Sequence, residues 1–188
     1  MTLIPAYNAF SVVISTTPVN NWIGTDGDWS TPGNWSLNRA PITGDIVNVN
    51  PAGIHTITLT TAAAGSLNSL NFSAGNDDIF LFSGAGASLS LPTMATLGGT
   101  VNLAGGTLTN ANVGQGINKL VMSSGTINNT GSLNVAAMSL SGGQIAGAGT
   151  LSVAGAFSWD NGLISGGKLF TSGATTLASG THGLANAL

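Results

Sequence analysis

The chain has 188 residues with three cations, six carboxylates and no cysteine, giving a formal net charge of −3. Three cations cannot neutralise a run of phosphates or dock on an anionic bilayer, which excludes ordinary nucleic-acid binding and electrostatic membrane attachment. No apolar run is long enough for a transmembrane helix, and the missing cysteines exclude disulfides and thiolate metal sites.

Charged residues make up 5% of the chain, so solubility must rest on Asn, Ser, Thr and exposed backbone. A hydrophobic fraction of 43% argues against disorder. Frequent glycine, with Thr, Val and Ser between, disfavours helix. An all-β chain is expected.

Residues 1–21 read as an extended lead-in, with Phe10, Val12 and Ile14 in alternation and Pro5 and Pro18 at its borders. Such a segment is expected either to cover the open end of its own fold or to add as a strand to a neighbouring subunit. Met1 to Thr17 lacks the basic start and continuous apolar core of a signal peptide. Export is therefore expected to be signalled elsewhere, or the mature chain to begin here.

Residues 22–53 form a second block: Trp22-Ile23-Gly24, Asp26-Gly27-Asp28-Trp29-Ser30, Pro32-Gly33-Asn34-Trp35, Ala40-Pro41 and Gly44-Asp45-Ile46-Val47. Gly, Asp, Pro and Asn supply the turns that fold such a stretch compactly. Indoles beside Asp and Asn can stack on sugars. The simpler reading is a cap, in which Trp22, Trp29, Trp35 and Pro41 plug the first coil and Asp45 tightens the turn after Gly44. The block resembles the W-x-G…G-x-W-S-x-P-x-N-W…P-x-x-G-D-x-V signature that opens repeat regions in bacterial autotransporter-type and haemagglutinin-like surface adhesins. That resemblance covers about thirty residues and implies a parallel β-helix in a secreted or cell-surface protein.

Residues 54–188 carry the repeat. Alternation is strong at Ile57 and Leu59, with Thr56, Thr58 and Thr60 facing the other way, and apolar positions recur at Leu67, Leu70, Phe72, Leu89 and Leu91. Gly131, Gly149 and Gly167 then fall eighteen residues apart, followed two places later by Leu133, Leu151 and Leu169. Gly125-Thr126-Ile127 recurs as Gly143-Gln144-Ile145, and Val135 recurs as Val153. A fixed period of this length marks a β-solenoid, whose coils bury their apolar faces only by stacking. The expected fold is a parallel β-helix with an N-terminal Trp-rich cap and coils of about 18–25 residues. Matching Leu108 with Leu133 and Val101 with Ile127 predicts a longer coil, with an outward loop around Val113 to Leu120. Leu177 and Leu184 continue the pattern without an evident polar cap.

Little in the chain points to catalysis. The carboxylates form two close pairs, Asp26/Asp28 and Asp77/Asp78, with Asp45 and Asp160 alone, and His55 and His182 lie far apart. No zinc-binding histidine motif or nucleophile elbow occurs, so no enzyme and no cofactor are expected. Calcium is a weaker option at Asp26, Asp28, Asp77 and Asp78, which supply hard oxygen ligands outside any known loop pattern. A threonine face that orders water is disfavoured because the threonines do not recur in register. The leading expectation is a structural or adhesive module at a bacterial cell surface, extracellular, meeting a host or matrix surface or neighbouring coils. A self-assembling filament subunit joined through coil ends and the 1–21 segment is the second. A carbohydrate-binding or carbohydrate-active β-helix using the Trp block is the third.

Overall fold

The computed structural model describes residues 16–63, 65–72 and 78–185. Among them there is no α-helix, only one 3-10 turn at Pro32–Asn34 and a succession of strands whose mutual pairing is parallel. The alternation seen in the sequence becomes an in–out pattern. In Ile46–Val49, Thr56–Leu59 and Ile79–Phe82 every second residue is buried.

The pairings sort the strands onto three faces, visited always in the same order. Face A carries Val19–Asn21, Ile46–Val49, Ser69–Phe72, Thr150–Val153 and Lys168–Thr171. Face B carries Gly27–Asp28, Thr56–Leu59, Ile79–Phe82, Phe157–Trp159 and Thr175–Leu177. Face C carries Ser88–Ser90, Gln144–Ala146, Gly162–Ser165 and His182–Ala185. Between these, Met94–Asn110, Gln115–Asn129 and Ser132–Leu140 bend round corners and serve two or three faces each. The result is a parallel β-solenoid of about seven turns.

Stacking aligns like with like. On face A Leu133, Leu151 and Leu169 lie in one column and Val135 sits over Val153. On face C Ile127, Ile145 and Ile164 form another. On face B Leu103, Met122, Leu140 and Trp159 form a third. Each such side chain taken out of water contributes about 1.5–3 kcal/mol. Backbone N–H and C=O groups pair along the axis, so every coil depends on those beside it.

The eighteen-residue glycine period has a steric cause. A Cβ on Gly149 would collide with the carbonyl of Gly131, and one on Gly167 with that of Gly149. These glycines stand where one coil passes closest to the last, so the period records a backbone contact as well as a turn.

Two readings of the sequence change. Leu108 is paired with Ile127, and Val101 with Leu120, so this coil has the ordinary length rather than an added loop. The cause is Gln115, which occupies the inward position paired with Leu133 and hides the repeat behind a polar residue. Val113 is exposed in a short turn, but Gln115–Asn129 is strand with Ile117 and Leu120 buried. The Trp block also does not precede the solenoid: Val19–Asn21, Gly27–Asp28 and Ile46–Val49 already pair in coil register. Phe10, Val12, Ile14 and Asp77 lie outside the described residues.

Candidate functional site

The two ends of the solenoid differ, and the N-terminal one is built by residues 20–45. The Trp35 ring meets Trp22 edge-on at 5.1 Å and Trp29 at 4.7 Å, while Trp29 stacks on Phe80 at 5.4 Å. All three indoles are buried. Trp35 Nε1 donates to the Trp29 carbonyl at 2.7 Å and Trp22 Nε1 to that of Thr25 at 3.0 Å. No face of these rings is offered to a sugar.

The same loop covers the outer edge of the first face A strand. Ser36 N–H donates to the Asn21 carbonyl at 2.8 Å, Ile23 N–H donates to that of Asn34 at 2.9 Å, and Trp22 and Trp35 form an antiparallel bridge. Asn20, fully buried, donates through Nδ2 to the Arg39 carbonyl and accepts from Leu37 N–H. Edge donors and acceptors that would otherwise face water are thus occupied from within the chain.

Asp45 does more than tighten a turn. Its buried carboxylate accepts from Arg39 Nη1 at 2.6 Å, Arg39 Nη2 at 2.9 Å and Ile42 N–H at 3.0 Å. Burial pushes its pKa up, but the hydrogen bonds from Arg39 and Ile42 and the guanidinium charge together outweigh that and hold it below the usual carboxylate value. Beside it Pro41 is buried. Sequence reading assigned Asp45 to the cap but missed Arg39, whose partner lies six residues on and carries no motif.

Three of the other carboxylates accept from backbone N–H groups. Asp26 accepts from Thr56 N–H at 2.7 Å, with His55 Nδ1 at 3.6 Å. Asp28 accepts from Ser30 N–H at 2.7 Å and Thr60 Oγ1 at 2.7 Å. Its pKa is pushed up by burial and more than offset downward by the Ser30 and Thr60 hydrogen bonds. Asp78, fully buried, accepts from His55 N–H at 2.8 Å. Among the described residues no three His, Asp or Glu side chains gather as metal ligands would. The geometry places Asp26, Asp28 and Asp78 as joints between successive coils.

At the C-terminal end the last described coil consists of Lys168–Thr171, Thr175–Leu177 and His182–Ala185. Leu177 follows Trp159 in its column and Leu184 follows Ile164. Trp159 and Ile164 are buried, whereas Leu177 and Leu184 are 60% and 59% exposed. Phe170 points outward and is also exposed. Among the described residues these strands pair on one side only. His182 packs edge-on to Trp159 at 5.3 Å, and its Nε2 donates to the Trp159 carbonyl at 2.7 Å.

Between the ends the structure shows two features that the sequence did not announce. Asn110 and Asn129 stack in register with Asn110 Nδ2 donating to Asn129 Oδ1 at 2.9 Å, and Asn129 Nδ2 donating to the Thr150 carbonyl. A trough of about 820 Å³ follows the corner between faces A and B, past Thr96, Gly116, Asn134, Ser152 and Phe170. No titratable side chain lines it. Its chemistry is limited to van der Waals contact and neutral hydrogen bonds.

Fold and surfaces together define a three-faced parallel β-solenoid, sealed at one end by its own aromatic loop. The chain matches no protein-family model, no curated protein and no solved structure.

Proposed function

We propose that this protein is a non-enzymatic structural and adhesive β-solenoid module of a bacterial cell surface. The observation that carries the reading is where the carboxylates go. Asp26, Asp28, Asp45 and Asp78 each accept backbone N–H groups that hold coils or turns in place. None of them lines the trough at the corner of faces A and B, and Asp26, the one beside an imidazole ring, gives an oxygen to the Thr56 N–H of the next coil. What remains is a stiff body, roughly 34 Å long for seven rungs of about 4.8 Å. The resemblance of the Trp block to adhesin repeat openings supports the surface assignment.

An antibody raised against the folded chain tests this on intact, unpermeabilised cells of the source organism. Labelling of intact cells is the expected result. Labelling only after lysis overturns the surface assignment.

A further inference from the structure

We propose that the trough at the corner of faces A and B binds one strand of a neutral, linear polysaccharide laid along the rod. Gly116 stays bare to admit it, Asn118 and Asn134 hydrogen-bond its hydroxyls, and Phe170 stacks on one of its rings. This rests on the adhesive reading above and deepens it by naming the class of ligand and where it is held.

Gly116 is the residue that points to a ligand. It lies inside a strand and pairs in register with Thr96 on one side and Asn134 on the other. Glycine at such a place weakens the strand, so it calls for a cause. Gly131, Gly149 and Gly167 have one, because a Cβ on each would strike the preceding coil. A Cβ on Gly116 would meet nothing within 4 Å, and its φ lies outside the left-handed region. What the missing side chain does is keep the trough open. A strand glycine with no steric cause of its own marks the close approach of something else.

The walls define what approaches. The outward row of face A runs past the trough as Thr96, Gly116, Asn134, Ser152 and Phe170, each in register with the next. Towards the N-terminal end it continues as Asn71, Asn48 and Asn21, with Asn48 Nδ2 donating to Asn21 Oδ1 at 2.9 Å. The row carries no charge over its whole length. Asn118 and Asn134 are exposed, and their amides both donate and accept, as sugar hydroxyls do. Between them and the far wall lie the methyl groups of Ala136 and Ala154, an apolar floor for the C–H faces of pyranose rings. Phe170 alternates with the inward Leu169 and turns an exposed ring to the same row.

The coils offer this arrangement once per rung, about every 4.8 Å along the axis. A chain that repeats its own hydroxyls along its length can meet several rungs at once, which a single small molecule cannot. A polypeptide finds no ladder to join here, since the backbone groups of the coils already pair along the axis. Lys119 follows Asn118 and Lys168 stands two residues before Phe170, but neither lines the trough. An anionic polysaccharide would therefore lie in the trough without counter-charge, and a neutral one loses nothing.

Calorimetric titration of the full chain with cellohexaose, laminarihexaose and mannohexaose tests this, with hexagalacturonate as the charged counterpart. The expected result is binding of at least one neutral hexasaccharide, with hexagalacturonate at least about fivefold weaker. Gly116→Trp fills the trough from a position with room for a side chain, and is expected to weaken that binding at least about fivefold. Phe170→Ala and Asn134→Ala, both at exposed side chains, are expected to act in the same direction and carry the test if circular dichroism shows Gly116→Trp to be misfolded. Silence from all three neutral sugars overturns the proposal. Binding that survives the folded trough variants unchanged overturns it too, because the sugar is then held elsewhere. Hexagalacturonate binding as tightly as the neutral sugars also overturns it, and assigns recognition to Lys119 and Lys168. A failure here leaves the surface assignment untouched, because cell labelling reads that separately.

Discussion

The first and last described coils are made from the same three-faced winding, yet they treat their ends in opposite ways. At the first, three indoles fill the interior and residues 34–36 hydrogen-bond along the strand edge. At the last, Leu177 and Leu184 hold inward positions that no other described residue covers. The difference shows that closing a solenoid requires two separate things. Apolar bulk must fill the column, and hydrogen-bonding groups must meet the edge. The Trp block supplies both, and the final described coil neither.

The largest test of that contrast is a pair of truncations. Trp35→Ala empties a fully packed site in contact with Trp22 and Trp29, and is expected to cost about 3–5 kcal/mol. Leu177→Ala removes a mostly exposed side chain and is expected to change stability by about 0.5 kcal/mol. Urea unfolding followed by circular dichroism measures both. Equal losses would mean that the open end is covered in solution.

Much of this architecture was legible because a solenoid writes its register into its sequence. Gly131, Gly149 and Gly167 announce the period since each stands where a side chain would strike the coil before it. Leu133, Leu151 and Leu169 announce the column because each buries against the next. The period failed at Gln115, where a polar residue sits in an apolar column and alignment by residue type slipped to the next match. The ion pair of Arg39 and Asp45 was illegible for another reason. It depends on how the 39–45 loop folds back, and no spacing rule encodes that. The corner trough is lined mostly by small and polar residues, whose pattern is the same whether the corner is flat or concave.

A second, smaller break in the comparison uses Asp45. Asp45→Asn removes the charge that holds two guanidinium nitrogens and is expected to cost about 2 kcal/mol. The effect belongs to the cap alone. Hydrogen exchange resolved by segment should rise over residues 36–46 and stay unchanged over residues 168–185.

Acid should act in the same place. The folded pKa values of Asp45 and Asp28 lie below their ordinary values, so both contribute stability above roughly pH 4 that is lost as pH falls through the folded values. Lowering pH from 5 towards 2 should therefore loosen the N-terminal end first. Trp fluorescence, dominated by three indoles in the cap and one at Trp159, follows it. A red shift that survives in Asp45→Asn at pH 5, before acid is added, would tie the signal to this carboxylate.

The last expected effect has the opposite sign and concerns the interior that links the two ends. Gln115 lies in the face A column paired with Leu133, and its Oε1 is buried with no partner among the described residues. Its Nε2 donates to the Thr93 carbonyl at 2.9 Å. Replacing it by leucine removes the orphaned oxygen and continues the apolar column. The cost is one hydrogen bond to the carbonyl of an exposed residue, Thr93, which water can replace. An unsatisfied buried acceptor costs about 1–3 kcal/mol and a solvent-replaceable hydrogen bond contributes about 1 kcal/mol. Gln115→Leu is thus expected to raise the urea midpoint by about 1 kcal/mol equivalent. A lowered midpoint would mean that the Gln115 side chain holds its coil in register, as the Asn110 and Asn129 pair does one corner away, and that the column tolerates a polar residue because the corner needs one.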